Sequence, residues 1–212
     1  MKEFFNKYLE KDHSFDKKTM IGIISLIIVI GGVFGFIYEY IFYYFNFGMK
    51  YFYWKGGNFL PWINIYAIGA VMIYFLTYKY RKNPFKVFLI SVVSTGALEY
   101  FSGLFIYLLC DGLRYWNYNT EILNFGNING FICFRSVGFF GISAILLMYV
   151  IVPLCFYLAT KTNKQKFLFI STTICLIVLM DATYNLVITD MFNLPKASVF
   201  YKKLGVHYLE HW

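Results

Sequence analysis

Long apolar runs alternate with short polar connections along this chain. Five of the runs approach or exceed the ~20 residues that carry a helix across ~30 Å of hydrocarbon. They lie near 21–45, 60–78, 85–109, 136–158 and 167–188. No connection is long enough for a separate soluble domain and no repeat period is visible. The pattern therefore predicts an all-α fold: a polytopic transmembrane helix bundle of about five spans in one domain over 20–190. An N-terminal arm, 1–19, and a short tail, 191–212, flank it.

Composition strengthens this reading. Hydrophobic residues make up 59% of the 212 and charged residues 14%, where a soluble domain carries about 25% charged. The arm mixes five lysines with Glu3, Glu10, Asp12 and Asp16, which is too long and too acidic for the start of a signal peptide, and no small-residue cleavage site follows, so the first run is expected to remain as a span. Phe4, Phe5, Tyr8 and Leu9 share one side of a helix. The arm is read either as an interfacial helix or as a solvated tail.

Lys and Arg set the expected orientation, because cytoplasmic connections retain them. The arm and the second and fourth connections hold twelve, and the other side holds seven. The N-terminus is therefore expected inside the cell membrane and the tail outside. The two longest connections, 46–59 and 110–135, then face outward and carry many Tyr, Trp and Phe residues suited to the headgroup zone. The net charge of +8 reads as attraction to anionic membrane lipid and not to nucleic acid.

Ionisable residues within a span cost roughly 2.5–3.5 kcal/mol each on insertion scales, so each needs a reason. Glu39, Glu99 and Asp181 are such residues. At ~1.5 Å per residue, Glu39 lies ~27 Å and the other two ~21 Å from the inner ends of their spans, all in the outer half. Each belongs to a stripe at helical spacing: Gly31, Gly35 and Glu39; Ser91, Thr95, Glu99 and Gly103; Asp181, Asn185 and Thr189. Lipid would reject these faces, so they are expected to turn toward one another and form an outward-facing polar pocket. The third connection, with Arg114, Trp116, Asn117, Asn127 and Asn129, is expected to cover it. Arg114 and Arg135 are the expected partners of the acids, since a guanidinium fork neutralises a carboxylate bidentately. These contacts serve either a binding site or the packing of the bundle.

Other signals are weaker. Cys155 and Cys175 fall in spans and read as small apolar residues. Cys110 and Cys133 flank the third connection, and a disulfide between them is left open, because spacing does not give geometry. His207, Glu210 and His211 match H-x-x-E-H, but the match lies at the chain's end without a third ligand, so no metal site is expected. No P-loop motif, dinucleotide fingerprint or C-x-x-C pair occurs, and Ser102 beside Glu99 lacks a histidine in the spans to activate it. No cofactor is expected, and enzymatic activity is the less favoured reading.

Several motifs together resemble a known family. They are Gly35-x-x-x-Glu39, the run from Glu99 to Gly103, Arg114-Tyr115-Trp116-Asn117-Tyr118, and Asn127-x-Asn129-Gly130-x-Ile132-Cys133 followed by Ser136 and Gly138. The resemblance is to the bacterial membrane family called Putative ABC-transporter type IV, or CmpB-like, and covers roughly 20–160. It implies an inner-membrane permease subunit with an ATPase partner. The chain departs from the family pattern in having Asn117 where an aspartate is usual and Phe131 where a second arginine is common. Five spans are few for a complete pathway, so a homo-oligomer or partner subunit is expected. The alternatives are an intramembrane enzyme acting on a lipid or lipid-linked substrate at the outer leaflet, and a non-catalytic assembly or sensor protein.

Overall fold

A computed structural model describes Tyr8 and residues 14–209. The expected arm helix through Phe4, Phe5 and Leu9, and the Glu210 and His211 half of the H-x-x-E-H match, lie outside the described residues. Among the described residues four helices are long and apolar enough to cross a membrane: α1 (Lys17–Asn46), α3 (Pro84–Leu109), α4 (Phe134–Lys161) and α5 (Lys164–Phe192). The expected span over 60–78 is a shorter helix, α2 (Asn64–Thr77). Its 14 residues rise about 21 Å, and the 3₁₀ turn Tyr78–Tyr80 that extends it adds about 6 Å. A short helix, α6 (Ala197–Lys203), follows in the tail. The fold is all-α apart from one small pair of strands.

Polar caps start the long helices where the apolar runs begin. The Asp16 side chain accepts from Lys18 N at the head of α1, Asn83 accepts from Lys86 N before Pro84 in α3, and Asn163 accepts from Gln165 N and Lys166 N in α5. Each satisfies backbone donors that a helix start leaves open. Asn193, in the left-handed region, ends α5.

Helix α1 is central, packing against α2, α5 and the second half of α4, while α3 packs on α4 and α2. Glycines set the closest approach. A Cβ on Gly35 would lie 2.1 Å from the Tyr66 ring, and one on Gly31 2.5 Å from Ala70 Cβ. The small-residue face expected on the first span is therefore where α2 docks. That approach lets Ile63 N–H donate to Gly32 O (3.1 Å) and Trp62 Nε1–H to Ile28 O (3.2 Å).

Below this level the bundle is filled by Ile23, Ile27, Ile73, Val87, Met148, Val152 and Phe156. Tyr8 is buried against that end, its hydroxyl 3.1 Å from Thr160 Oγ1. Asp16 pairs there with Lys164 (2.9 Å), and the Tyr149 hydroxyl donates to Arg81 O (2.6 Å). The basic connections thus gather at one end. The outward faces are apolar, with Val93, Phe169 and Met180 largely exposed.

At the other end the tail returns to the first long connection. β1 (Trp54–Lys55) and β2 (Tyr208–Leu209) pair in parallel, Tyr201 stacks on Trp54 (4.6 Å), and its hydroxyl donates to Phe59 O (2.6 Å). All four cysteines are free thiols, Cys133 buried and Cys110 exposed. Cys110 and Cys133 are not bonded to each other in this structure.

Candidate functional site

A cavity of about 520 Å³ opens between α1, α2, α3, α4 and the two long connections. Of the residues singled out in the sequence, Glu39, Glu99, Trp116, Arg135 and Asn185 line it. Ser102, Tyr115, Tyr118 and Ser136 of the quoted motifs line it too, and so do Tyr38, Tyr43, Lys55, Tyr66 and Glu121, which the sequence did not single out.

Each acid has its own surroundings. Glu39 is placed by the Gly31–Gly35 stripe, since the ring allowed in by Gly35 belongs to Tyr66, whose hydroxyl donates to Glu39 Oε1 (2.9 Å). Its other oxygen has no hydrogen-bond partner and lies 4.0 Å from Lys55 Nζ. Lys55 comes from the first long connection, at the strand the tail pairs with. Its ammonium donates to Tyr115 O (2.8 Å) and the Tyr43 hydroxyl (3.2 Å), over the Tyr43 ring. Burial pulls its pKa down, opposed by Glu39 and Glu121.

Glu121, on the third connection, takes the arginine. Arg135 Nη2 donates to Glu121 Oε2 (2.5 Å), Nη1 donates to the Tyr38 hydroxyl (3.1 Å), and the Tyr43 hydroxyl donates to Glu121 Oε1 (2.7 Å). The guanidinium also lies 3.9 Å from the Phe42 ring centre. The sequence reading that Arg135 neutralises an intramembrane acid is corrected here. A loop carboxylate brought in by the tertiary fold is closer and holds it.

Glu99 sits on the buried Ser91–Thr95–Glu99–Gly103 face of α3. The Tyr118 hydroxyl donates to its Oε1 in a short hydrogen bond. Burial first, and then the adjacent Glu99, hold the Tyr118 pKa well above the usual phenol value, so it remains a donor. Oε2 of Glu99 is buried and accepts no hydrogen bond. The Ser136 hydroxyl lies against Glu99 and donates to Cys133 O (3.0 Å).

Asp181, Arg114, Asn117, Asn127 and Asn129 do not line the cavity. Asp181 accepts from Phe59 N (3.0 Å), Leu60 N (2.7 Å) and Asn185 Nδ2 (2.8 Å), fastening the first connection to α5. It does not line the cavity, which corrects its expected place there. Asn185 links that corner to the tail by accepting from Ala197 N (2.8 Å). Among the described residues Arg114 pairs with no acid: it donates to Asn129 O (3.0 Å) and lies over the rings of Tyr107 and Phe131. Its aromatic neighbours leave the expected carboxylate pairing unmade.

Asn117, Asn127 and Asn129 shape the third connection. Asn127 accepts from Gly130 N (2.8 Å), and Asn129 and Gly130 both have positive φ in the turn between Ile128 and Ile132. The Asn-Gly pair suits a tight turn of this kind. A Cβ on Gly130 would meet Asn119, Arg114 and Asn117 within 2.8 Å. This fold brings Trp116 and Phe131 against Gly103 of α3 and carries Tyr118 to Glu99. The third connection thus contributes Leu113, Tyr115, Trp116, Tyr118 and Glu121 to the cavity lining.

Residues 26–186 match the family described as Putative ABC-transporter type IV. The chain belongs to that family. No curated protein and no solved structure matches it. With four helices suited to crossing a membrane, it is an ABC-transporter-type, multi-pass membrane protein. Asn117 accepts from Asn119 N (3.2 Å) in the turn and does not line the cavity.

Proposed function

We propose that this chain is the permease-like subunit of an ABC-type transport assembly in the cell membrane, holding its cargo in the polar cavity at the outward end. The observation that carries this reading is the convergence of Glu39, Glu99, Arg135, Lys55 and Glu121 on one cavity, although they come from three helices and two connections. Burying so many charges is costly unless the space they surround has a use. The cavity volume also falls in the range of small-molecule sites. An orientation with the N-terminus inside puts the basic end at the anionic leaflet and the cavity outside.

The sequence has no P-loop, so the energy source in this reading is an ATPase on a partner chain. Affinity purification in mild detergent, with mass spectrometry of what comes along, tests it. Co-recovery of a P-loop ATPase whose hydrolysis rises on reconstitution with this chain is the expected result. Recovery of the chain alone, with no nucleotide-dependent flux in proteoliposomes, overturns it.

A second reading rests on Glu99 and Tyr118. A carboxylate held by a phenol beside lipid is an acid–base pair of the kind an intramembrane enzyme would use on a lipid-linked substrate. Altered total lipids in a Glu99→Gln strain, with flux intact, would favour it over transport.

A further inference from the structure

Three carboxylates, Glu39, Glu99 and Glu121, and three cations, Lys55, Arg135 and Lys196, line the cavity, but they do not form three matched pairs. Lys196 at the rim is paired with Asp190 (2.9 Å). Arg135 is committed to Glu121 and Lys55 lies beside Glu39. Among the described residues no cation lies within ion-pair distance of Glu99, which is only 5% exposed and whose second oxygen has no neighbouring donor but the Ser136 hydroxyl. A buried carboxylate is expensive unless a donor, preferably a charged one, completes its shell.

The walls suit the same kind of donor. Both resident cations already lie against aromatic faces, Lys55 on Tyr43 and Arg135 on Phe42. Tyr66, Trp116 and Phe140 offer further faces on the lining, and such faces attract ammonium groups. One flank is different in character. Ile68 and Leu186 line the cavity and are 58% and 51% exposed, giving an apolar flank beside the charged groups.

Resting on the cavity reading above, we propose that the site takes an organic ammonium group, its charge on Glu99 and its apolar part along Ile68 and Leu186. A lipid amine headgroup and a free alkylamine share this chemistry.

The test uses the purified full chain. Thermal-shift titrations compare octylamine, ethanolamine, octanol and octanoate below their micellar concentrations. Native mass spectrometry from nanodiscs of equal phosphatidylethanolamine and phosphatidylglycerol follows retained lipid. Octylamine is expected to raise Tm while octanoate and octanol do not, and Glu99→Gln is expected to weaken octylamine binding by about tenfold or more. Retention of phosphatidylethanolamine identifies the lipid source, and saturable ethanolamine binding without retained lipid identifies the free amine.

Octanoate binding as tightly as octylamine, preferential retention of phosphatidylglycerol, or unchanged octylamine affinity in Glu99→Gln overturns the ammonium assignment. If Glu99→Gln fails to fold, the wild-type ligand series decides alone. Ser102→Trp, which fills the cavity without removing a charge, separates the two levels. Loss of all binding in it, with octanoate favoured over octylamine in the wild type, refutes the ammonium and keeps the cavity. Unaltered ligand binding and flux in Ser102→Trp refute the cavity reading itself.

Discussion

The Asp181 corner and the Glu99 corner each hold one acid on an apolar helix, at similar expected depth, and the bundle surrounds them in opposite ways. Asp181 receives two backbone N–H groups and an amide, all from segments that must be held in place. Glu99 receives one phenol and keeps a bare oxygen beside open space. An intramembrane acid is thus not diagnostic by itself. What separates a fastening from a binding group is whether its acceptor capacity is already used.

The comparison can be broken by mutation. The largest loss is expected from Arg135→Gln, which leaves Glu121, with a side chain only 1% exposed, without its cation; unfolding in SDS titration should show about 3–5 kcal/mol less stability. Asp181→Ala comes next, at about 2–4 kcal/mol, because two backbone donors lose their acceptor. The same titration, with proteolysis of the first long connection, checks it. Gly35→Ala should cost about 1–3 kcal/mol as the Tyr66 ring is pushed from α1, and an intact ligand affinity in it would show that Tyr66 does not position Glu39.

Glu99→Gln should shift stability by less than about 1 kcal/mol, since the amide still accepts from Tyr118 and has a smaller desolvation cost. If it destabilises as much as Asp181→Ala, Glu99 is a second fastening and the contrast collapses. The smallest effect belongs to Asp16 at the far end. Thr19 first, and then Lys164, lower its pKa from 3.8 to about 2. A depressed carboxyl stabilises above its unfolded value, so this contribution is present above pH 4 and fades as pH falls toward 2. Hydrogen exchange at the first turn of α1 should rise over that window in wild type and lose that pH dependence in Asp16→Asn.

The polar stripes were legible because helix period is local. Ser91, Thr95, Glu99 and Gly103 fall on one buried face as their spacing requires, and Gly31 and Gly35 accept a helix as theirs does. The partners were not legible. Lys55 and Glu121 sit in aromatic connections with no period, and nothing in their neighbours in sequence marks them as buried. Tyr38 and Tyr66 read as ordinary span aromatics. The two arginines looked equivalent, yet one reaches Glu121 and the other stacks on Tyr107 and Phe131.

Sequence alone determined that this chain is an all-α membrane protein, which residues on its helices face inward and which connections crowd around the site. Hydrophobic length and helical spacing act over a few turns, so they are written in the order of residues. Tertiary structure alone decided which charge meets which. Ion pairing depends on a few ångströms between groups on different segments, from Glu121 and Arg135 on neighbouring ones to Asp16 and Lys164 at opposite ends of the bundle's sequence, and those distances are set only when the helices, the two long connections and the tail pack together.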